Sequence, residues 1–413
     1  MNHTPQIKHR ALLLAAGVIA LSLLSSQMRA DTGTCNGASI TLPFTDVPSS
    51  NGFFCAIASA YVTGLTNGTS ATTYAPSANV PREQMAAFVT RTLDQSLKRG
   101  SQRAAAQQWW QPANVSALRS TTFISTDPVD LQNIAWDGAD VWVASPGIHA
   151  IHRMHASDGK IWASYFAPVL KPHDIIVAAG YVFVTSPEGA GPGRVYRIDP
   201  QLLPLDAGWL TLVEDNTGPN PVGITFDGQR LWTANSLGGG SITRIVLSTG
   251  IDATFSSGFV SPSDILWDGE NLWVCDQGAG NVKRVDPATG TVEQFIQLGG
   301  SPSQLLFDGA NLWVSNPGSN NIAVIRATGG LRGTLLDTIT GNGLNTPQGM
   351  AFDGERVLVT NNISLGSVSL FKASDLTPLG NLFTGVSSNP FAACSDGLNF
   401  WIVRKGFDDI ARF

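Results

Sequence analysis

The segment ILWDGENLWVC, residues 265–275, recurs along the chain and decides its fold. Six clear copies and one degenerate copy share an apolar strand, a turn and a second apolar strand: IAWDGADVWVA (134–144), IIVAAGYVFVT (175–185, the degenerate copy), ITFDGQRLWTA (224–234), ILWDGENLWVC (265–275), LLFDGANLWVS (305–315), MAFDGERVLVT (350–360) and AACSDGLNFWIV (392–403). Successive turns are 42, 48, 41, 40, 45 and 43 residues apart. This is the period of a four-stranded propeller blade, so the sequence predicts a seven-bladed β-propeller over residues 120–413.

Each copy repeats the same physical features. Asp-Gly at the turn allows positive φ at the glycine and closes a hairpin. The second strand carries a large ring at a fixed place, namely Trp142, Phe183, Trp232, Trp273, Trp313 and Trp401, with Leu358 the exception. A third strand carries Arg153, Arg197, Arg244, Arg284 and Arg412 at one shared position. Because a single active site needs only one such residue, the repetition favours packing between blades over ligand binding.

The two ends of the repeat region predict how the ring closes. The seventh copy stops at Phe413 after its third strand, and the segment TTFISTD (121–127) precedes the first copy. We expect this segment to be the missing fourth strand of the last blade, because closure removes exposed sheet edges.

The repeats resemble the YVTN-type and NHL-type propeller families, most closely in VCDQGAGNVKRVDPATGTVEQFIQLGGSPSQLLFDGANLWVSN (274–316). The resemblance covers about residues 120–413. It implies the propeller fold and leaves the function open, because such propellers serve as binding platforms, scaffolds and sometimes enzymes.

The first thirty residues have the layout of a signal peptide. Lys8, His9 and Arg10 precede an apolar run, Ala11 to Leu24, that is too short to span a bilayer comfortably. An uncleaved anchor is the alternative. Without this segment the chain has 22 basic and 31 acidic residues, a net charge of −9. We therefore expect a secreted or periplasmic protein that is not membrane-spanning after cleavage, and no nucleic-acid partner.

Residues 31–98 predict a small helical domain, followed by a linker at 99–119. Amphipathic patterns at FFCAIASAYVTGL (53–65) and VPREQMAAFVTRTL (80–93) predict two helices. The domain resembles a single S-layer homology repeat through these residues: Phe44, Asp46, Val47, Ala56, Ile57, Gly64, Gly68, Tyr74, Pro76, Arg82, Glu83 and Phe88. The resemblance implies binding to cell-wall polysaccharide, with Asp46, Arg82 and Glu83 as polar contacts. One repeat is present where such proteins usually combine three, and Pro81 replaces the expected Thr.

The four cysteines fall into two classes. Cys35 and Cys55 both lie in the first domain, and in an oxidising compartment they can pair, although the sequence leaves this open. Cys275 and Cys394 lie in non-adjacent repeats and are expected to be small buried apolar residues.

The repeat alignment places one residue pair from each blade at the mouth of the central channel. These pairs are Gln132 and Asn133, His173 and Asp174, Val222 and Gly223, Ser263 and Asp264, Ser303 and Gln304, Gln348 and Gly349, and Phe391 and Ala392. From them we predict ligand binding by Gln132, Asn133, His173, Asp174, Asp264 and Gln304. The candidates for catalysis are His173, Asp174 and Asp264.

Two enzyme families bear on those candidates. KPHDIIV (171–177) resembles the Pro-His-Gly blade start of streptogramin lyases, which use His, Glu and Mg²⁺ to abstract a proton. No Glu ends a second strand here, and the acidic cage of a calcium-dependent lactone hydrolase is not matched by Asp174 and Asp264 alone. No cofactor is predicted, and a divalent metal at the channel is the alternative.

The sequence thus leaves two functional hypotheses. The first is a monomeric, envelope-associated binding or scaffold protein whose propeller contacts polysaccharide or an envelope protein. The second is a propeller lyase or hydrolase with a divalent metal at the channel.

Overall fold

The computed structural model describes residues 32–35, 38–62, 66, 68–70, 72–82, 85, 119–121, 130–156 and 159–413. Two compact units are present, an amino-terminal one and a larger one that contains residues 119–413. The predicted signal peptide at 1–30 lies outside the described residues. Among the helices that are described, none is both long and apolar enough to cross a membrane.

The amino-terminal unit is a hairpin and a helix joined by a disulfide. Strands β1 (Thr32–Cys35) and β2 (Ala38–Thr41) pair antiparallel, and helix α1 covers Phe54–Val62. Cys35 at the end of β1 is bonded to Cys55 in α1, with their Cα atoms 5.6 Å apart. The hairpin was not predicted, so the expected all-helical S-layer-like domain is not supported. Of the second predicted helix, only Val80, Pro81, Arg82 and Met85 are described.

The larger unit confirms the seven-bladed propeller. Its sheets each have four antiparallel strands, and blades are numbered in chain order. Blade 1 contains β4 (Ile134–Trp136), β5 (Asp140–Ser145), β6 (Ala150–His155) and β7 (Ile161–Phe166). Blade 2 contains β8 (Ile175–Ala178), β9 (Tyr181–Ser186), β10 (Pro192–Ile198) and β11 (Leu210–Pro219). Blade 3 contains β12 (Pro221–Phe226), β13 (Arg230–Asn235), β14 (Ser241–Val246) and β15 (Gly250–Phe255). Blade 4 contains β16 (Pro262–Trp267), β17 (Leu272–Asp276), β18 (Asn281–Val285) and β19 (Val292–Gln297). Blade 5 contains β20 (Leu305–Phe307), β21 (Asn311–Asn316), β22 (Asn321–Arg326) and β23 (Leu335–Ile339).

The last two blades complete the ring. Blade 6 contains β24 (Pro347–Phe352), β25 (Arg356–Asn361), β26 (Leu365–Lys372) and β27 (Pro378–Val386). Blade 7 contains β28 (Pro390–Ser395), β29 (Phe400–Arg404), β30 (Asp409–Arg412) and, from the amino-terminal side, β3 (Arg119–Thr121). The first strands of neighbouring blades contact one another around the whole circle. They therefore surround the central channel.

Ring closure uses an amino-terminal strand, as predicted, but at a different position. β3 pairs antiparallel with β30, from Arg119 opposite Arg412 to Thr121 opposite Ile410. The predicted strand was 121–127, of which residues 122–127 lie outside the described residues. The strand therefore begins two residues earlier than expected, inside the segment that was assigned to the linker.

The Asp-Gly turn and the ring position form one hydrogen-bonded unit. In blade 5, Asp308 Oδ1 accepts from the backbone N–H groups of Ala310 and Asn311, and Oδ2 accepts from Trp313 Nε1 at 2.8 Å. Gly309 has a φ of +96°, as the turn requires. The same contacts recur at the turns that begin with Asp137, Asp227, Asp268 and Asp396.

The two exceptional blades show that a tryptophan occurs at the ring position only where the turn aspartate is present, whereas the aspartate can accept from another donor. Blade 2 has Ala179 and Phe183, so it lacks both the acceptor and the indole donor. Blade 6 keeps Asp353 without a tryptophan, and Arg356 Nε donates to that carboxylate at 2.7 Å instead. Asp-Gly is therefore more than a turn signal, because its carboxylate also orients the packing residue.

The rings pack between blades, which confirms their structural role. Trp142, Trp232, Trp273, Trp313 and Trp401 are fully buried. Trp313 of blade 5 packs against Val357 and Val359 of blade 6. Trp401 of blade 7 packs against Val141 and Val143 of blade 1, which completes the circle of inter-blade contacts.

The repeated arginines also connect blades. Arg244 of blade 3 donates from Nη1 to the Pro287 and Ala288 carbonyls of blade 4 at 2.9 and 2.8 Å. Arg412 of blade 7 donates to the Ala156 carbonyl of blade 1 at 3.0 Å. Cys275 is buried, Cys394 is half-buried, and both are free thiols.

Candidate functional site

The mouth of the channel is a cavity of about 200 Å³ to which every blade contributes. Its walls are mostly amide, hydroxyl and carboxyl side chains: Gln132, Asn133, His173, Asp174, Val222, Ser236, Ser263, Asp264, Gln277, Ser303, Gln304, Gln348 and Phe391. All six residues predicted to bind ligand are among them. The cavity is smaller than a typical drug-sized pocket and has room for one small polar group, such as a single sugar ring.

The two acids of the cavity brace the ring of first strands. Asp174 accepts from the backbone N–H of Ile175 at 2.9 Å and from Ile224 N–H of the next blade at 2.9 Å. Asn133 Nδ2 of the preceding blade also donates to Asp174, at 2.5 Å. Asp264 repeats this pattern, because it accepts from Ile265 N–H and from Leu305 N–H of the next blade, each at 2.8 Å.

Gly223 separates the two acids and lets them approach the same space. A side chain at Gly223 would meet the Asp264 Cα at 3.0 Å and Oδ1 at 3.2 Å. Burial raises the pKa of Asp174 to about 7, against its hydrogen bonds, which favour the charged form. Burial and then the charge of Asp174 raise the pKa of Asp264 to about 8. The pair therefore titrates near neutral pH as a coupled unit.

His173 presents a basic nitrogen on the cavity wall. Its Nδ1 lies 3.0 Å from the Val222 carbonyl oxygen. Because a carbonyl only accepts, Nδ1 carries the hydrogen and Nε2 is the acceptor. Burial lowers the pKa of His173, the Val222 contact raises it, and the charge of Lys405 lowers it again. The neutral ring can accept a hydrogen bond from a ligand or act as a base.

Two amides complete the set of available hydrogen-bonding groups. Gln348 Oε1 accepts from Ser303 Oγ at 3.2 Å, which leaves its NH₂ group available. The Gln304 side chain has no hydrogen-bond partner among the described residues. His173 Nε2, the Gln304 amide and the Gln348 NH₂ thus offer both donors and acceptors.

A second tier of residues, which the sequence analysis missed, lies at the ends of the second strands. Ser236 and Gln277 directly follow β13 and β17 and line the cavity. Lys405 follows β29 in the same way, and its Nζ donates to Gln132 Oε1 at 2.8 Å. In the repeat pattern the last residue of each second strand is easy to place, whereas these three side chains come one position later, in the loop that follows.

The described residues do not bring together three His, Cys, Asp or Glu side chains that could hold a metal ion. His149 Nδ1 contacts the Leu170 carbonyl at 2.6 Å, and His152 Nδ1 contacts Ser164 Oγ at 2.9 Å. His155 pairs with Asp140 at 2.8 Å. These histidines therefore have separate partners, and the Mg²⁺ chemistry of the lyase family lacks a matching set of ligands in this part of the chain.

In the amino-terminal unit, the predicted wall-binding residues have different surroundings. Asp46 accepts from the Tyr74 and Ala75 N–H groups at 2.8 and 2.7 Å. Burial raises the pKa of Asp46, but the hydrogen bonds together outweigh burial and lower it. Both oxygens of Asp46 are thus used to hold a loop. Arg82 is exposed, and Glu83 lies outside the described residues.

Comparison with protein-family models and with curated proteins gives no match. Among solved structures, the chain is similar to a streptogramin B lyase, with a TM-score of 0.58 and 18% identity over 70% of this chain and 95% of that one. Virginiamycin B lyase from Staphylococcus aureus gives 0.57 and 20%, covering 69% and 95%. Its catalytically inactive His-to-Ala variant with quinupristin gives 0.58 and 19%, covering 71% and 97%.

A protein of different chemistry has the same degree of similarity. Hydrazine synthase from Kuenenia stuttgartiensis gives a TM-score of 0.57 and 18% identity, covering 71% of this chain and 97% of that one. At these identities the comparisons establish the propeller fold alone.

Proposed function

We propose that this chain is an exported, envelope-associated binding protein whose channel mouth binds a hydroxyl-rich unit of a cell-envelope polysaccharide. One observation carries the proposal. His173 Nε2, the Gln304 amide and the Gln348 NH₂ face one small cavity and have no hydrogen-bond partners within the described part of the chain. Sugars offer hydroxyl groups that donate and accept, which is the complement of such a set.

The two acids fit binding better than catalysis. Asp174 and Asp264 are each held by backbone N–H groups from two neighbouring blades, so moving either one would disturb the ring. Each carboxyl group can still bond to a ligand hydroxyl, because it accepts through free lone pairs when ionised and also offers an O–H donor when protonated. They can therefore contribute to affinity while they remain fixed.

The test is co-sedimentation of the full chain with purified cell-wall sacculi. Replacing Gln304 by alanine removes hydrogen bonds to a neutral ligand, so we expect about two- to tenfold weaker binding. Gln294→Ala is a matched control, because Gln294 lies on an outer strand and does not line the cavity. Unchanged pelleting of the Gln304 variant would contradict a binding role for the mouth.

The amino-terminal unit is proposed to add a second attachment to the wall, as its resemblance to an S-layer homology repeat suggests. Arg82 is the exposed candidate in this unit. Deletion of residues 31–98 should reduce pelleting with sacculi, and Arg82→Ala should reduce it in part. Equal pelleting of the deletion variant and the full chain would exclude the anchoring role.

A lyase or hydrolase remains the second candidate because of His173. Three of the four similar structures are lyases, and one of these three is a histidine variant described as catalytically inactive. His173 has a neutral ring with Nε2 as a possible general base. Incubation of the full chain with quinupristin and Mg²⁺, compared with His173→Ala, tests this candidate. Ring opening that disappears in the variant would favour the enzyme over the binding protein.

A further inference from the structure

The second tier of the mouth contains one charged side chain. The residue that follows the second strand is, in blade order, Pro146, Pro187, Ser236, Gln277, Pro317, Asn362 and Lys405. The backbone confirms the equivalence. Lys405 N–H donates to the Asn389 carbonyl at 3.2 Å, as Ser236 N–H does to Asn220 and Asn362 N–H does to Thr346, each at 3.0 Å. Lys405 thus occupies, in blade 7, the position from which Ser236 lines the cavity.

The ammonium group of Lys405 is held next to the cavity by two of its lining residues. Nζ donates to Gln132 Oε1 at 2.8 Å and lies 3.9 Å from the centroid of the Phe391 ring. Burial lowers the pKa of Lys405, while the charge of Asp130 raises it in part. Neither Gln132 nor Phe391 neutralises the positive charge.

The acidic partner of Lys405 makes no direct hydrogen bond to Nζ, and its two oxygens accept instead from Gln132 Nε2 at 3.2 and 3.3 Å. Asp130 Oδ1 lies 3.7 Å from Nζ, beyond hydrogen-bond distance, and 58% of the Asp130 side chain is exposed, against 25% for Lys405. Exposed pairs of this kind contribute little to stability. A carboxylate arriving from the cavity side could therefore replace Asp130 at low cost and form a direct, charge-assisted hydrogen bond.

The other hydrogen-bonding groups that line the cavity are suited to binding hydroxyl groups of a ligand. His173 Nε2 is an acceptor, and Asp174 and Asp264, held in fixed orientations, can accept from a hydroxyl when ionised and donate to one when protonated. We infer that the ligand unit carries one carboxylate, bound by Lys405, together with several hydroxyls, which is the chemistry of a uronic acid. This inference rests on the proposed function, and it adds the charge of the ligand.

The experiment uses two probes, trigalacturonate and its fully methyl-esterified form, in which each carboxylate is replaced by a neutral methyl ester. Binding to the full chain is measured by calorimetry. We expect the acid to bind at least tenfold more tightly than the ester. Lys405→Gln should remove that difference, whereas Asp130→Asn should increase affinity for the acid by about threefold, because it removes the competing carboxylate. Lys372→Gln, which alters a lysine paired with Asp375 on blade 6, should change neither affinity.

The opposite changes expected for Lys405→Gln and Asp130→Asn separate a charge effect from damage to the fold. Equal affinity for acid and ester in the unaltered chain would overturn the acidic-ligand inference and leave the proposed function standing. The inference alone would also fall if neither probe bound while the chain still pelleted with sacculi. Absence of both probe binding and pelleting would overturn the proposed function as well.

Discussion

The turn edge of the blades and the channel mouth are built by the same seven repeats, yet they differ in how much they repeat. At the turn edge, five blades have the same aspartate bonded to the same tryptophan. At the mouth, the equivalent residues are Asn133, Asp174, Gly223, Asp264, Gln304, Gly349 and Ala392. Uniform positions hold neighbouring blades together. Positions that vary from blade to blade make one asymmetric cavity, which is what a specific ligand needs.

The largest expected effect comes from breaking a uniform position. Trp313→Ala should lower the free energy of unfolding of the propeller by about 3 to 5 kcal/mol, because it leaves a cavity between blades 5 and 6. Chemical denaturation followed by intrinsic fluorescence measures this. Phe295→Ala, on an outer strand with 66% of the residue exposed, should cost less than about 0.5 kcal/mol. Equal losses for the two variants would contradict inter-blade packing as the source of stability.

The second largest loss of stability is expected at a buried ion pair in blade 4. At the equivalent positions, blade 3 has a neutral hydrogen-bonded pair. Lys283 donates to Asp276, which is fully buried, whereas blade 3 has Asn235 bonded to Thr243 at 3.0 Å. Lys283→Met should cost about 3 kcal/mol, because it leaves an uncompensated carboxylate. The double variant Asp276→Asn, Lys283→Thr copies blade 3 and should recover at least half of the loss in the same denaturation assay. No recovery would show that the pair is specific to its blade.

A third variant removes the acceptor from a turn. Asp308→Ala leaves Trp313 Nε1 and two backbone N–H groups without their partner, at an expected cost of about 2 kcal/mol. Asp215→Ala, at an exposed position, serves as the control in thermal unfolding. A melting temperature equal to that of the control would mean that the Asp–Trp bond is incidental to packing.

The acids of the mouth should make stability depend on pH. Their folded-state pKa values are raised, so the folded chain retains protons that the unfolded chain releases. The stabilisation from these protons is fully present below about pH 4. It is lost progressively as the pH rises from about 4 to about 8, so the unfolding free energy should fall over that range and level off above it.

Asp264→Asn should flatten that slope. Asp375→Asn should not, because hydrogen bonds from Thr377 and Lys372 lower the pKa of Asp375 and keep it ionised over this range. An identical slope in the unaltered chain and the Asp264 variant would show that Asp264 does not titrate there.

The smallest effect on stability is expected at the variable mouth. Gln304→Ala should change the unfolding free energy by less than about 0.5 kcal/mol, because the Gln304 side chain has no hydrogen-bond partner among the described residues. Lys405→Gln should cost no more than about 1 kcal/mol, because it alters one hydrogen bond, from Lys405 in blade 7 to Gln132 in blade 1. Both should still weaken binding in the assays above. A large loss of stability in either variant would remove the distinction between the turn edge and the mouth.

The repeats made most of the propeller predictable. Blade number, the inter-blade role of Trp313 and its equivalents, and the residues at the mouth all follow from the 40–48 residue period. The Asp–Trp bond was not predicted, although the joint absence of Asp and Trp from blade 2, at Ala179 and Phe183, was a visible signal. The structural use of Asp174 was also missed, because a bond to Ile224 N–H in the next blade leaves no mark in the local pattern.

Outside the repeats, prediction was weaker for a physical reason. The hairpin at β1 and β2 has four-residue strands, which are too short for alternation to be distinctive. The closing strand was predicted at 121–127 but begins at Arg119. Its described part forms three residue pairs with β30, which is too short to leave a periodic pattern in the sequence. Lys405 lies in a loop, where no periodic pattern marks a functional side chain.

A crystal structure of the full chain with trigalacturonate would locate the ligand. We expect one galacturonate ring inside the channel mouth, with its carboxylate on Lys405 and a hydroxyl on His173 Nε2. A ligand bound to the outer strands or the amino-terminal unit, with the mouth filled only by water, would contradict it.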